Sequence, residues 1–222
     1  MRYIINCKIN FKNLILFIAV LIIPCYENGM ELKNIADIQS GYISRGKIEP
    51  MDNGSYFLLQ ARDVDADRLI YQAERMVRFN PDLSPKDQPL KQNDILFMAR
   101  GSRNYAILLK EIPKPVLAAA CFFIVRLFNR DVLPDYLFWY LNQAPADNYF
   151  RRHSGRGVHM PVVKRSVLEN IDIPIPPVEE QKTISELNNL LQKEIALLEA
   201  LAQKRKEMIT AACLQVVQKK QK

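Results

Sequence analysis

Asn170-Ile-Asp-Ile-Pro-Ile-Pro-Pro-Val-Glu-Glu-Gln181 runs directly into a helical pattern that continues unbroken from Glu179 to about Val217. Pro174, Pro176 and Pro177 hold the backbone extended, because each fixes φ and pushes the residue before it away from the helical region. Glu179 and Glu180 then place negative charge in the first turn, where unpaired N–H groups and the helix dipole favour it. No Gly or Pro interrupts the pattern beyond that turn. Apolar residues recur at Ile184, Leu187, Leu191, Ile195, Leu198, Ala202, Met208, Ile209 and Ala212, mostly three or four apart. Lys182, Glu186, Lys193, Glu199 and Lys204 lie mostly off that seam. Such a helix spans roughly 58 Å at 1.5 Å per residue, more than the width of a small domain. It is expected to stand clear of its own domain and to need a second helix along its seam. The alternative is a long helix folded back on its own core.

Length and composition frame the rest. A chain of 222 residues, 49% hydrophobic and 25% charged, has room for one domain plus an appendage, or for two small domains. A net charge of +7 favours a polyanionic partner without naming one. Cys7, Cys25, Cys121 and Cys213 stand far apart, a spacing that supports neither a zinc site nor a disulfide framework. Reduced thiols in a cytoplasmic protein are the default.

Residues 1–29 read differently from the remainder. Arg2, Lys8 and Lys12 precede the apolar run Leu14–Ile23, which is too short to span a bilayer as a helix. A basic start and a short apolar core resemble a secretory signal, but no small-x-small cleavage site follows. Met30-Glu-Leu-Lys-Asn-Ile-Ala-Asp-Ile begins a sensible soluble domain, so the start is expected at Met30 and residues 1–29 outside the fold.

From Met30 to about Pro177 the chain reads as mixed α and β. Leu32–Gln39 forms a short helix or strand ending at Gly41. Tyr56–Gln60, Asp94–Ala99, Ala106–Leu109 and Cys121–Val125 suit buried strands. Asp135–Gln143 is expected as a helix after Pro134, with Trp139 in core packing, and a short helix is expected over Lys164–Glu169. The expected fold class is α+β: one mixed domain over residues 30–178, then a long helix over 179–222 that pairs as an antiparallel coiled coil and carries a basic tail.

Several chemistries fail on their own residues. Gly41-Tyr-Ile-Ser-Arg-Gly-Lys47 fits most of a phosphate-binding P-loop, but Ile48 stands where magnesium needs Ser or Thr, and Pro50 breaks the required helix. Pro134-Asp135 with Glu180-Gln181-Lys182 is a loose nuclease-like pattern with no sign that its carboxylates converge on one ion. His153 and His159 lack a third metal ligand at useful spacing, and Ser154 lacks an acid partner and nucleophile turn. No catalytic residue, metal ligand or cofactor is therefore assigned.

Basic clusters at the ends of strands are what remain. Arg151, Arg152, His153, Arg156 and His159 share a glycine-containing loop, with Lys164 just beyond it. Arg100, Ser102, Arg103 and Asn104 follow the strand at Asp94–Ala99, and Arg62 follows the strand at Tyr56–Gln60. Arginines on loops carried by a rigid scaffold suit phosphate oxygens and the O6/N7 edge of guanine. Together the three clusters favour contact with DNA.

Lys91-Gln-Asn-Asp-Ile-Leu-Phe-Met-Ala-Arg-Gly-Ser-Arg103, and Gly157-Val-His-Met-Pro-Val-Val-Lys-Arg-Ser-Val-Leu-Glu-Asn-Ile-Asp-Ile-Pro-Ile-Pro-Pro-Val-Glu-Glu-Gln-Lys-Thr-Ile184, resemble the specificity subunit of type I restriction–modification systems. Ile35-Ala-Asp-Ile-Gln-Ser-Gly41 resembles the opening of the same target-recognition domain. The resemblance runs from Met30 onward and implies a non-catalytic protein. Such a protein brings methyltransferase (modification) subunits, and a restriction subunit, to a bipartite sequence in double-stranded DNA. The usual member has two recognition domains, each followed by a long helix, whereas this chain has one of each and resembles a half-subunit. Homodimerisation, pairing with a second half-subunit, and a truncated relic all stay open. Dimerisation would run through Ile184, Leu187, Leu191, Ile195, Leu198 and Ala202. The competing class is a membrane- or envelope-anchored basic interaction protein that uses residues 1–29 as its anchor.

Overall fold

The computed structural model describes residues 29–82, 89–112, 115–153 and 162–219. Residues 1–28, with their apolar run, lie outside that set, as do Arg156 and His159. Among the described residues no helix is long and apolar enough to cross a membrane.

The expected α+β architecture is present. Its centre is an antiparallel sheet in the order β2 (Ala36–Ser40), β10 (Phe122–Leu127), β7 (Ile95–Met98), β8 (Ala106–Leu108). All four residues of β7 are buried. The reason is that both faces of this sheet are covered. Ile95 and Phe97 point into a core shared with the helices, while Leu96 and Met98 point into a core shared with a second sheet. A strand covered on both sides reads as a continuous apolar run, which is why Ile-Leu-Phe-Met was legible. Each fully buried side chain of this size contributes about 1.5–3 kcal/mol.

The second sheet has the order β6 (Val77–Phe79), β3 (Tyr56–Leu59), β9 (Val116–Ala118), with β3 antiparallel to β6 and parallel to β9. Gly41 and Tyr42 join the two sheets: the Gly41 N–H donates to the Phe122 carbonyl and the Tyr42 N–H to that of Ala118. A Cβ at position 41 would lie 2.2 Å from the Ala119 carbonyl oxygen, so the close approach requires glycine. A hairpin of β4 (Val64–Asp65) and β5 (Ile70–Tyr71) projects from this body. In its turn the Asp65 carboxylate accepts from the N–H groups of Asp67 and Arg68, and Leu69 takes φ 55°.

Helices α1 (Pro134–Leu141), α2 (Ala144–His153) and α3 (Arg165–Glu169) cover the other face of the central sheet. Pro134 at the first position of α1 suits it, because its missing N–H is unpaired there anyway. Helix α2 corrects the reading of Arg151, Arg152 and His153 as loop residues: they form its last turn. Ala146 and Phe150, four apart, bury one face of α2 against Phe97, and Asp147 pairs with Arg151 along the other. Trp139 packs against the core, as its helical spacing implied.

The chain then returns as β11 (Asp172–Pro174), antiparallel to β1 (Gly29–Glu31). Ile171 and Ile173 are buried, and helix α4 (Val178–Lys219) follows. At about 1.5 Å per residue its 42 residues span roughly 63 Å. Its first two turns dock on the core: Gln181 and Ser185 are buried and Ile184 is half-buried against it. From Leu190 onward, through Val217, the side chains are exposed. The helix stands clear of its domain's core, as its length implied.

Candidate nucleic-acid interface

Three segments meet at one end of the body. The 100–104 loop leaves β7, and Arg100 makes an antiparallel bridge with Val162, while the Val163 N–H donates to the Ala99 carbonyl. This pairing brings the Val162–Val163 segment, just before Lys164, alongside the start of the 100–104 loop. Arg62 lies on a 3-10 turn, Ala61–Asp63, directly after β3. Cys121 connects that turn to Arg100. Burial pushes its thiol pKa up, while the Ala61 N–H and the nearby Arg100 guanidinium pull it back. Arg103, Asn104 and Arg151 line a common cavity of about 330 Å³ with Asp67 and Asp147. The 100–104 loop thus meets both the Val162–Val163 segment and the cavity that Arg151 lines.

Their charges are not equally available. Arg103 pairs with Asp67 at 3.1 Å, donates to the Ala66 carbonyl and lies 5.8 Å from the Tyr105 ring centre. Burial pushes the Tyr105 hydroxyl up to about 12, so it stays protonated beneath that arginine. Arg151 pairs with Asp147 at 2.8 Å. The His153 ring stacks on Tyr149 at 4.3 Å, with Nδ1 2.8 Å from the Tyr149 carbonyl oxygen. Asn104 donates its amide to the Met98 carbonyl and closes its own loop. Arg62 is exposed, with Nε 3.8 Å from Asp63 Oδ1. Arg100, Arg152 and Lys164 are exposed and have no ion-pair partner among the described residues. Ser102 is exposed in the same loop. The surface offers guanidinium, ammonium, hydroxyl and amide donors, a set suited to holding phosphate or reading base edges. Among the described residues no cluster of His, Cys, Asp and Glu converges as a metal site requires.

Two features were not visible in the sequence. The β4–β5 hairpin braces the site from behind: Asp67 holds Arg103, while Arg68 reaches Glu199 on α4 at 2.7 Å. Between hairpin and helix lies a groove of about 860 Å³, in which Ile195 faces Asp65, Arg68 and Ile70. The second feature is Gln181, fully buried at the root of α4. Its Oε1 accepts from the Leu133 N–H at 2.8 Å, and its Nε2 donates to the carbonyls of Asp131 (2.7 Å) and Pro176 (2.8 Å). All three hydrogen-bonding positions used by its amide are filled, which holds the helix to the body. A Glu-Glu-Gln start on a helix reads as dipole stabilisation, and only the fold reveals that its third residue points inward.

Leu187, Leu191, Leu198 and Ala202 are exposed along α4, with Leu190, Leu197 and Leu201 beside them. So many large apolar side chains on one helix leave a surface that calls for a partner.

The fold and this surface define a class: a mixed α+β module with basic loops at its strand ends, followed by a long exposed helix rooted in its core. The chain belongs to the family described as the type I restriction modification DNA specificity domain, which matches residues 28–207. It is similar to the type I restriction enzyme MjaVIII specificity subunit of Methanocaldococcus jannaschii, with 28% identity over 131 residues, 57% of this chain and 29% of that protein. It is also similar to the putative MjaX specificity subunit of the same organism, with 27% identity over 123 residues, 52% of this chain and 29% of that one. The fold is shared with the S subunit from M. genitalium (TM-score 0.51, 15% identity, 78% of this chain and 41% of that one). It is shared too with the HsdS subunit from Thermoanaerobacter tengcongensis (TM-score 0.51, 17% identity, 79% of this chain and 40% of that one). A chain from a type I R-M system, solved in work on complex assembly and conformational transition, aligns with TM-score 0.56 at 16% identity, over 85% of this chain and 46% of that one. The matched segments amount to about three-tenths of the curated relatives' length.

Proposed function

We propose that this chain is the DNA-reading half-subunit of a type I restriction–modification system, a protein without catalysis of its own. Residues 30–178 act as the target-recognition domain, and residues 179–222 as a spacer and dimerisation helix. Two such helices, from two copies or from this chain and a second half-subunit, pair antiparallel and set two recognition domains along one duplex. Methyltransferase subunits, and a restriction subunit, act on the bipartite target so selected, in the cytoplasm. A homodimer reads a split palindrome, because two-fold symmetry is repeated in the target. Mixed pairing reads an asymmetric one.

What supports this reading is that the 100–104 loop pairs with the Val162–Val163 segment and shares a cavity with Arg151, while the exposed Arg100, Arg152 and Lys164 have no ion-pair partner among the described residues. Family membership gives that basic surface its polyanion. The test is methylome sequencing of the source strain with and without the gene. Loss of one bipartite methylation motif is expected, and an unchanged methylome overturns the reading. In binding to duplex DNA, alanine at Arg100, Arg152 or Lys164 is expected to lower affinity and to reduce the salt slope by about 0.9 for each phosphate no longer neutralised.

A further inference from the structure

Resting on the pairing just proposed, we infer that two copies of this chain pair their α4 helices in one antiparallel register, which sets Glu194 of each copy against Arg205 of the other. Ile184 packs against the core and Ile195 lines the hairpin groove, which shifts the exposed seam away from Ile184, Ile195 and Ala202 and onto a neighbouring seven-residue repeat. Leu191, Leu198, Arg205 and Ala212 occupy one core position of the repeat, and Leu187, Glu194, Leu201 and Met208 the other. Six of these eight are apolar, while Glu194 and Arg205 fall in the middle of the stripe. Both are exposed and neither has an ion-pair partner among the described residues. A charge at such a position costs stability unless the facing helix supplies its opposite, and for that reason it selects register.

In an antiparallel pair the first core position of one helix faces the second of its partner. One register satisfies both charges. It sets Arg205 against Glu194 of the second copy, Leu191 against Met208, Leu198 against Leu201 and Ala212 against Leu187. Two-fold symmetry repeats each layer, so two ion pairs form. Sliding one helix by a heptad in one direction sets Arg205 against Leu201 and Glu194 against Ala212. Sliding it in the other sets Arg205 against Leu187 and Glu194 against Leu198. A parallel pair sets Glu194 against Glu194 and Arg205 against Arg205. The charge pattern is self-complementary, which identifies a second copy as the occupant of the seam.

The hairpin does not compete for this surface. Gln192, Ala196, Glu199 and Gln203, which line the hairpin groove, lie to one side of the stripe, with Ile195 at the border. The two-fold axis passes between Glu199 and Ala200, so the Arg68–Glu199 contacts of both copies fall beside it on the same face of the helix pair. The two helix starts then lie roughly 65 Å apart along the pair. A slip of one heptad changes that separation by about 10 Å, or roughly three base pairs, so register decides which half-site spacing is read.

The test uses the full chain in sedimentation equilibrium, with native mass spectrometry to identify mixed species. E194R sets arginine against arginine in both polar layers and R205E sets glutamate against glutamate. Each is expected to raise the dimer dissociation constant by about a hundredfold. An equimolar mixture of the two is expected to recover a heterodimer, and the double variant E194R/R205E a homodimer. Both sites are exposed, so the monomers fold, as far-ultraviolet circular dichroism verifies. A single variant that dimerises as tightly as the wild type overturns the register while leaving pairing intact, and so does a failure of the mixture to recover a dimer. A wild-type chain that stays monomeric overturns the pairing itself, and with it this inference.

Discussion

The root of α4 offers the sharpest test of how this fold holds its long helix. Replacing Gln181 with Leu keeps approximate volume and removes every polar partner from the Leu133 N–H and from one lone pair each of the Asp131 and Pro176 carbonyls. At about 1 to 1.5 kcal/mol for each hydrogen bond removed from a buried site, the cost is about 3 to 5 kcal/mol. A small domain has only about 5–15 kcal/mol in total, so the cost is a large fraction. Urea unfolding followed through Trp139 fluorescence measures the global part. Hydrogen exchange at the Leu133 amide measures the local part, and protection there is expected to fall by about two to three orders of magnitude. The Gln181→Glu variant adds a pH axis. One carboxylate oxygen still accepts from Leu133, but the other, when ionised, faces two carbonyl oxygens. Its folded-state pKa therefore rises above the unfolded value of about 4.3. Stability is then retained below the unfolded value and lost as pH rises through the folded one. A Gln181→Leu variant within about 0.5 kcal/mol of wild type, with Leu133 exchange unchanged, would refute the clamp, since substitutions away from such features fall in that range.

Two further outcomes are expected in the body of the domain. Asp63 is buried, one of its carboxylate oxygens lacks a hydrogen-bond partner among the described residues, and burial raises its pKa above 3.8 despite the Gln60 N–H and the charges of Arg62 and Arg75. Its contribution to stability therefore falls as pH climbs from about 3.8 through the raised value. Asp63→Asn keeps an acceptor for Gln60 and should flatten that part of the stability-versus-pH curve, and a curve that keeps its slope would count against the assignment. Gly41→Ala forces a methyl against the backbone of Ala119. It should cost about 1–3 kcal/mol in denaturant unfolding, and an unchanged midpoint would mean that the two sheets separate more readily there than their hydrogen bonds imply.

What the residues alone determined was whatever depends on local order. The stalk follows from unbroken three–four spacing, a proline-stiffened approach and two glutamates in the first turn. Strands β3, β7, β8 and β10 follow from short continuous apolar runs, because sheets covered on both faces need no alternation. The junction motif at Ile171–Gln181 and the basic strand-end loops were legible for the same reason, and they carried the family resemblance. Other elements were not legible. Strands β4, β5, β6 and β9 are two or three residues long, too short to show a pattern of their own, and β6 and β9 are held by β3, which is remote in sequence. Helix α2 was hidden because its outward face is polar and its C-terminal arginines imitate a loop.

Tertiary structure alone decided which charges are available. Arg103 looks as free as Arg100 in the sequence, yet Asp67, thirty-six positions away, holds one and not the other. The same holds for Gln181, whose inward aim depends on Asp131, Leu133 and Pro176 converging around it. Periodicity records which face of an element is apolar. Whether a polar group spends its hydrogen bonds within the chain or keeps them for a partner depends on distances that only folding sets.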